Sequence, residues 1–227
     1  MTRPMRALVT GGAGFIGYAL VRALAARPRT EILVLDKLTY AANPAAVEDF
    51  RRRPALRFVE GDVADRALLA RLFAEWRPDA VFHLAAESHV DRSIERPEAF
   101  VETNVLGTAA LLDAALAHWQ ALPAAERAAF RLLQVSTDEV YGSLAAGAPG
   151  FTEETPFRPN SPYAASKAAG DHLARAWQRT YGLPVLVSHS SNNYGAWQFP
   201  EKLIPLAIAK ALAGRPLPLC GDGRRVR

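Results

Sequence analysis

Arg6-Ala7-Leu8-Val9-Thr10-Gly11-Gly12-Ala13-Gly14-Phe15-Ile16-Gly17 is the stretch that decides the fold. A short apolar run, Arg6–Val9, reads as a strand. The glycines follow at once, and a helical pattern then runs from Phe15 to Ala26. Both the G-x-G-x-x-G spacing (Gly12, Gly14, Gly17) and the G-x-x-G-x-x-G spacing (Gly11, Gly14, Gly17) are satisfied. Glycines at such positions permit a tight turn, close approach of backbone to a pyrophosphate, and close packing of helix on strand. The helix N-terminus supplies unpaired N–H groups and positive partial charge. A second apolar run, Glu31–Leu35, ends at Asp36, about 20 residues beyond the glycines. A carboxylate there can accept both ribose hydroxyls of adenosine and repels a 2′-phosphate, which points to NAD over NADP. Lys37 beside it works against that preference.

Outward from this motif, apolar runs alternate with helical patterns. Leu56–Glu60, Ala80–Leu84, Arg131–Ser136 and Val185–Ser190 complete the candidate strands. The helical stretches are Arg66–Trp76, Phe100–Trp119, Tyr163–Tyr181 and Leu203–Ala213. The runs are continuously apolar, as strands covered on both faces must be. The expected fold class is therefore α/β, a doubly wound parallel sheet of Rossmann type. Residues 1–190 read as a dinucleotide-binding domain, and 191–227 as the beginning of a substrate-binding region. Gly142–Pro162 is a long irregular piece rich in turn formers, the kind of loop that tends to be functional. Leu217–Cys220 reads as the start of a further strand with no closing helix, so a truncated chain is the expectation.

A chain of 227 residues buries roughly 70–75% of its unfolded surface, enough for a sizeable core. Half the residues are hydrophobic and 22% are charged, which excludes disordered and fibrous classes. The net charge of +4 comes from Arg far more than Lys, but 23 acids are interspersed, so a nucleic-acid platform is not expected. The single Cys220 has no partner for a disulfide or a metal site, which fits a reducing cytoplasm. Arg3 and Arg6 precede an apolar stretch as in a signal peptide, but the glycines interrupt it. No run is expected to reach the ~18–20 apolar residues of a membrane span.

Tyr163 and Lys167 stand four apart at the start of a helical pattern opened by Pro162, on one face. A cation beside a tyrosine makes its phenolate available as a base. Ser136-Thr137-Asp138-Glu139 closes the fifth strand, at the carboxyl edge where open α/β sheets bind ligands. A hydroxyl with two adjacent acids suits holding an oxygen, donating a proton and accepting one. Two carboxyls in one pocket are expected to titrate apart. The reading of this segment as a turn with solvated acids stays open. His83, His89, His118, His172 and His189 show no metal-ligand spacing, and Trp76, Trp119 and Trp177 fall on helical patterns as core or interface residues.

The glycine loop, Asp36-Lys37-Leu38-Thr39-Tyr40, Leu84-Ala85-Ala86-Glu87-Ser88-His89-Val90-Asp91, Ser136 to Glu139, Tyr163 with Lys167, and Ser191-Asn192-Asn193-Tyr194 together resemble the extended short-chain dehydrogenase/reductases. Within them the resemblance is closest to the dTDP-glucose 4,6-dehydratase branch, through the Thr-Asp-Glu triplet and the stretch from Phe199-Pro200-Glu201-Lys202-Leu203 onward. It implies a pyrophosphate at Gly11, Gly14, Phe15, Ile16 and Gly17. Adenosine would lie against Asp36, Lys37, Leu38 and Thr39, with Asp62 and Val63 near the adenine. Leu84, Ala85, Ala86, Glu87, Ser88, Thr103, Tyr163, Lys167 and Asn193 would surround the nicotinamide half of NAD. Sugar-nucleotide contacts would come from Ser88, Thr137, Asn192, Lys202, Leu203, Pro218, Leu219, Cys220 and Arg227. Members of the family are longer than this chain, and Cys220 stands where they commonly carry an aromatic residue.

The resemblance further implies a catalytic set of Thr137, Asp138, Glu139, Tyr163 and Lys167 and no metal. Tyr163 would take the proton of the sugar 4-hydroxyl as NAD oxidises C4, with Thr137 on the C4 oxygen. Glu139 would remove the C5 proton while Asp138 protonates the departing 6-hydroxyl, and hydride would return to C6. The net reaction is dehydration of dTDP-glucose to its 4-keto-6-deoxy sugar. A 4-epimerase, a dehydratase of another sugar nucleotide and a non-catalytic dinucleotide-binding protein remain open. The resemblance also suggests a homodimer through Phe100–Trp119 and Tyr163–Tyr181.

Overall fold

The protein is described by a computed structural model covering residues 3–145 and 147–217. The chain runs β1 (Met5–Thr10), α1 (Phe15–Ala25), β2 (Thr30–Asp36), α2 (Pro44–Arg52), β3 (Leu56–Glu60), α3 (Arg66–Trp76), β4 (Ala80–His83), α4 (Val90–Glu95) and α5 (Pro97–Phe100). A π-helical segment, Val101–Gly107, joins α5 to α6 (Thr108–Ala121). There follow α7 (Ala124–Ala129), β5 (Arg131–Thr137), a 3-10 turn (Asp138–Tyr141), α8 (Pro162–Tyr181), β6 (Val185–Ser190) and α9 (Leu203–Leu212). The six expected strands all form, each within one residue of its expected bounds. They make a single parallel sheet in the order β3-β2-β1-β4-β5-β6. The doubly wound α/β expectation holds.

Alternation along each strand explains the continuous apolar runs. Leu8, Leu33, Leu35 and Val81 point into one core with α3, α6 and α8. Ala7, Val9, Ile32 and Val34 point into the other, beneath α1 and α2. Both faces are dry, so neither parity can be polar. Each fully buried Leu or Phe in these layers contributes ~1.5–3 kcal/mol over leaving it in water.

Helix starts follow their caps. Asn43 accepts from Ala45 N–H ahead of Pro44, Asp65 from Leu68 N–H, and Ser161 from Ala164 N–H ahead of Pro162. The Asn43-Pro44 pair was the available signal for α2, a helix absent from the sequence expectation, as were the short α4 and α7. Two expectations are corrected. Residues 101–107 are π-helical rather than a regular start to a Phe100–Trp119 helix. The whole run Pro97–Ala121, 25 residues, is also long and apolar enough by composition to cross a membrane, contrary to the expectation that none would be. Small alanines raise its apolar content without a run of bulky side chains. Half of its most apolar window is buried, with Ala110, Leu111, Leu112 and Ala115 in the core against α3 and α8. Of the strand expected over Leu217–Cys220, Leu217 is not in a strand and the rest lies outside the described residues.

At the junction of β1 and β4, Thr10 and His83 are register partners. Ala85 N–H donates to Thr10 Oγ1 (3.3 Å), and the Thr10 hydroxyl donates to His83 Nδ1 (2.7 Å). His83 Nε2–H donates to Thr108 Oγ1 (3.0 Å), whose own hydrogen goes to the Asn104 carbonyl (2.7 Å). Because that last hydrogen is committed, the network fixes the His83 tautomer. Burial, with Lys167 nearby, holds the ring neutral down to about pH 3. An unfolded imidazole takes up its proton near pH 6.5. Stability is therefore complete above pH 6.5 and lost as pH falls toward 3, at up to ~1.4 kcal/mol per pH unit from this group. Denaturant melts across that window should show the slope, and a His83→Gln variant should show less of it.

Candidate active site

A cleft of about 450 Å³ opens at the carboxyl ends of β1, β4 and β5. Neighbouring strands there send their connections to opposite faces of the sheet, which leaves a crevice between them. Gly11, Gly14 and Gly17 line it, with Phe15 and Ile16 at the start of α1. Gly11 has φ +70°, and a Cβ there would stand 2.5 Å from the Ala85 nitrogen. At Gly17 a Cβ would run into the Gly11 carbonyl oxygen. Gly12 faces the other way, onto Val34 Cγ1, so of the two glycine spacings it is 11-14-17 that meets the cleft. No side chain caps the N-terminus of α1. Its first N–H groups, unlike those of α2, α3 and α8, are left for a ligand anion.

Asp36 ends β2 with each carboxylate oxygen accepting one backbone N–H, from Ala13 and from Leu38, both at 2.9 Å. Burial raises its pKa, against the pull of those two N–H groups and of Lys37. Lys37 lines the cleft as well. It donates to Thr103 Oγ1 (2.8 Å) and lies 3.5 Å from Asp62 and 3.7 Å from Glu87. Thr39, Val63, Leu84, Ala85, Ala86, Ser88 and Thr103 line the walls. Leu38 does not; at φ +53° it packs on the α1–α2 core. Asp62 and Glu87 also stay off the cleft wall, Asp62 accepting from Ala64 N–H at 2.8 Å.

The π-helical segment supplies two residues side by side. Thr103 reaches the cleft, and Asn104 clamps the Glu87 backbone by accepting its N–H (2.9 Å) and donating to its C=O (3.0 Å). Asn104 also donates to Ser166 Oγ (2.9 Å), which donates to the Tyr163 carbonyl. The β4 loop and the start of α8 are thereby tied together through one buried amide. No motif marks Asn104, and the sequence reading missed it.

From α8, Tyr163 and Lys167 both reach the cleft. Lys167 Nζ donates to the Val135 carbonyl (2.7 Å), and burial lowers its pKa, with Asp171 opposing. Thr137 and Glu139 face them at the end of β5, with Glu139 N–H donating to Thr137 Oγ1 (3.2 Å). Asp138, 3.4 Å from the Thr137 hydroxyl, is not among the lining residues. The segment after β6 crosses the opening. Asn192, Asn193, Lys202 and Leu203 line it, joined by Gln198, Phe199 and Glu201, which were not among the expected contact residues. Trp197 meets Tyr18 edge-on and Phe199 meets Tyr40, while Glu201 lies 3.6 Å from His89. Pro218, Leu219, Cys220 and Arg227 lie outside the described residues. Trp76, Trp119 and Trp177 pack against the first core. Among the described residues, no three His, Cys, Asp or Glu side chains gather as a metal site.

The profile of the GDP-mannose 4,6 dehydratase family matches residues 8–227. A dTDP-glucose 4,6-dehydratase of Neisseria gonorrhoeae is 58% identical over 220 residues, 97% of this chain and 64% of that protein. The crystal structure of a dTDP-glucose 4,6-dehydratase from Streptomyces venezuelae, solved with NAD and TYD bound, superposes with a TM-score of 0.85 at 51% identity, covering 96% of this chain and 66% of that one. A UDP-glucose 4-epimerase of Thermus thermophilus in complex with NAD superposes with a TM-score of 0.80 at 35% identity, covering 93% and 64%. The chain thus spans just under two thirds of the length of these relatives.

The glycine cradle is directly testable. Gly11→Ala combines a left-handed φ with a backbone collision and should cost ~1–3 kcal/mol or more in denaturant melts. Gly150→Ala, where a Cβ meets nothing within 4 Å, should change stability by less than ~0.5 kcal/mol.

Proposed function

The chain belongs to the GDP-mannose 4,6 dehydratase family, and from this premise we propose that it binds NAD and serves the dehydration of dTDP-glucose to its 4-keto-6-deoxy sugar. The observation that carries the reading is Glu139 lining the same cleft as Tyr163, Lys167 and Thr137. A base at C5 is what an elimination needs and an epimerisation does not.

The cradle fits a dinucleotide. Gly11, Gly14 and Gly17 leave room for backbone to meet a pyrophosphate, and the uncapped start of α1 offers its N–H groups. Asp36 would receive the adenosine ribose hydroxyls, for each oxygen has spent only one bond on the backbone. Asp62, Glu87 and Thr103 hold Lys37, which supports NAD over NADP. When bound, NAD supplies reversible hydride acceptance.

The chain's own groups do the rest. Tyr163 takes the proton of the 4-hydroxyl, sustained by the Lys167 ammonium, and Thr137 holds the C4 oxygen. A ketone at C4 acidifies the C5 hydrogen, which Glu139 removes. Asp138, next in chain to Thr137, protonates the departing 6-hydroxyl. Ser88, Asn192, Lys202 and Leu203 are proposed to hold the sugar nucleotide, and Lys202 Nζ already reaches the Ser88 carbonyl at 3.4 Å. We further propose a homodimer across the π segment and α8, supported by the exposure of Val101 and Leu106 on that face, in a reducing compartment that the single cysteine favours. The similarity to a UDP-glucose 4-epimerase supports a second reading, epimerisation at C4, in which Glu139 has no task.

Two measurements test these readings. Asp36→Ala should narrow the ratio of NADP to NAD dissociation constants by calorimetry, by ~10-fold or more if the carboxylate holds both hydroxyls; a parent that binds NADP as tightly as NAD sinks the preference. With dTDP-glucose, Glu139→Gln should let reduced-nicotinamide absorbance build up without matching 4-keto-6-deoxy product, because its own step slows ~10²–10⁴-fold. Tyr163→Phe should give neither signal. Dehydration by Glu139→Gln at the parent rate would return the case to epimerisation.

A further inference from the structure

Tyr163, Lys167 and Asp171 stand at i, i+4 and i+8 of α8 and so share one stripe of it. The first two belong to the proposed chemistry; Asp171 has no part in it. Yet Asp171 is only 4% exposed and Lys167 only 6%. A carboxylate and an ammonium are thus buried one helical turn apart, where each is costly without the other.

The surroundings are built for a charged Asp171. Ser136, the residue before Thr137, donates its hydroxyl to Asp171 Oδ2 (2.6 Å). His189 of β6 lies 3.1 Å from the same oxygen through Nε2, and its Nδ1 is 3.2 Å from the Tyr141 hydroxyl. With the Tyr141 O–H donating to Nδ1, Nε2 carries the hydrogen and donates to the carboxylate. Asp171 Oδ1 has no hydrogen-bond partner among the described residues. Lys167, for its part, donates to a neutral acceptor, the Val135 carbonyl. Burial pushes its ammonium toward deprotonation, and Asp171 is the group that resists this.

We infer that Asp171, fixed by Ser136 and His189, is the counter-charge that keeps Lys167 an ammonium, and so acts on Tyr163 as a positioning residue. This rests on the proposed pairing of Tyr163 with Lys167. The titratable groups around the stripe are His83 from β4, His189 from β6, and Tyr141 from the turn after β5 with Glu153 acting on it. Glu139 faces the same cleft as Tyr163. The π segment and α6 turn only the uncharged Asn104 and Thr108 inward here, and α4 and α5 bury only Ser93 and Phe100. No other anion on these elements is buried beside Lys167 among the described residues.

The test follows ionisation of Tyr163 in the 227-residue chain by tyrosine difference absorbance, with Tyr163→Phe subtracted to isolate its signal. Lys167→Met comes first. If it leaves the Tyr163 midpoint unchanged, the Tyr163–Lys167 pairing falls and the inference falls with it. If it raises the midpoint, Asp171→Asn should raise it as well, by ~0.5–1 pH unit, a ~3–10-fold loss of phenolate at neutral pH. In the Lys167→Met background the same change should have no further effect. A folded Asp171→Asn whose Tyr163 titrates as in the parent overturns the inference and leaves the pairing intact; so does an equal shift in both backgrounds. Should Asp171→Asn fail to fold, the double variant, which removes both buried charges, is expected to fold. A double variant as unstable as the single one overturns the inference.

Discussion

β1 and β4 lie side by side at the centre of the sheet, and their connections leave toward opposite faces. Nothing regular can fill the space beyond their carboxyl ends, so a crevice forms there, lined by Gly11, Gly14, Gly17, Asp36, Thr137, Glu139, Tyr163 and Lys167 among others. Its floor depends on a close approach: Gly11 passes the Ala85 backbone with no room for a methyl group. Beneath that contact the Thr10–His83–Thr108 chain ties the two strands to α6. A neutral histidine suits this place because it can accept on one nitrogen and donate on the other. A protonated ring would leave a donor facing the Thr10 hydroxyl and a charge in a dry interior.

Several polar groups brought into that interior bind the two halves of the cleft together. Asn104 is the hub. Its amide serves the Glu87 backbone on one side and Ser166 on the other, so the β4 loop cannot shift without moving the start of α8. The π-helical segment makes this possible, for the widened turn lets Thr103 and Asn104 both face inward. Gly170 of α8 then passes the Asn104 carbonyl closely enough that a Cβ there would stand 3.1 Å from it.

Charge is handled with similar economy. Lys37 sits beside Asp36 in sequence but spends itself on Thr103, Asp62 and Glu87, which leaves the Asp36 carboxylate to its two backbone N–H groups. Lys167 and Asp171 are buried one turn apart behind Tyr163. Asp171 Oδ2 is held by the Ser136 hydroxyl and the His189 imidazole, and Lys167 donates to the Val135 carbonyl. The result is a cleft edge on which Thr137, Glu139, Tyr163 and Lys167 meet, with Asp171 and His189 behind it off the cleft wall.

Much of this was legible in the sequence, and for a physical reason. Strand–helix alternation, the glycine loop, Asp36 and the Tyr163–Lys167 spacing are local patterns, set by backbone sterics and by the period of the helix and strand, and the six strands fall within a residue of where those patterns put them. Both glycine spacings fit the sequence equally. Only the packing of Gly12 against Val34 decided that 11-14-17 faces the cleft. Asn104, Asp171 and His189 carried no legible signal, because each matters through partners 17 to 62 residues away. A buried polar side chain has meaning only through the group that satisfies it, and chain folding alone brings that group within reach.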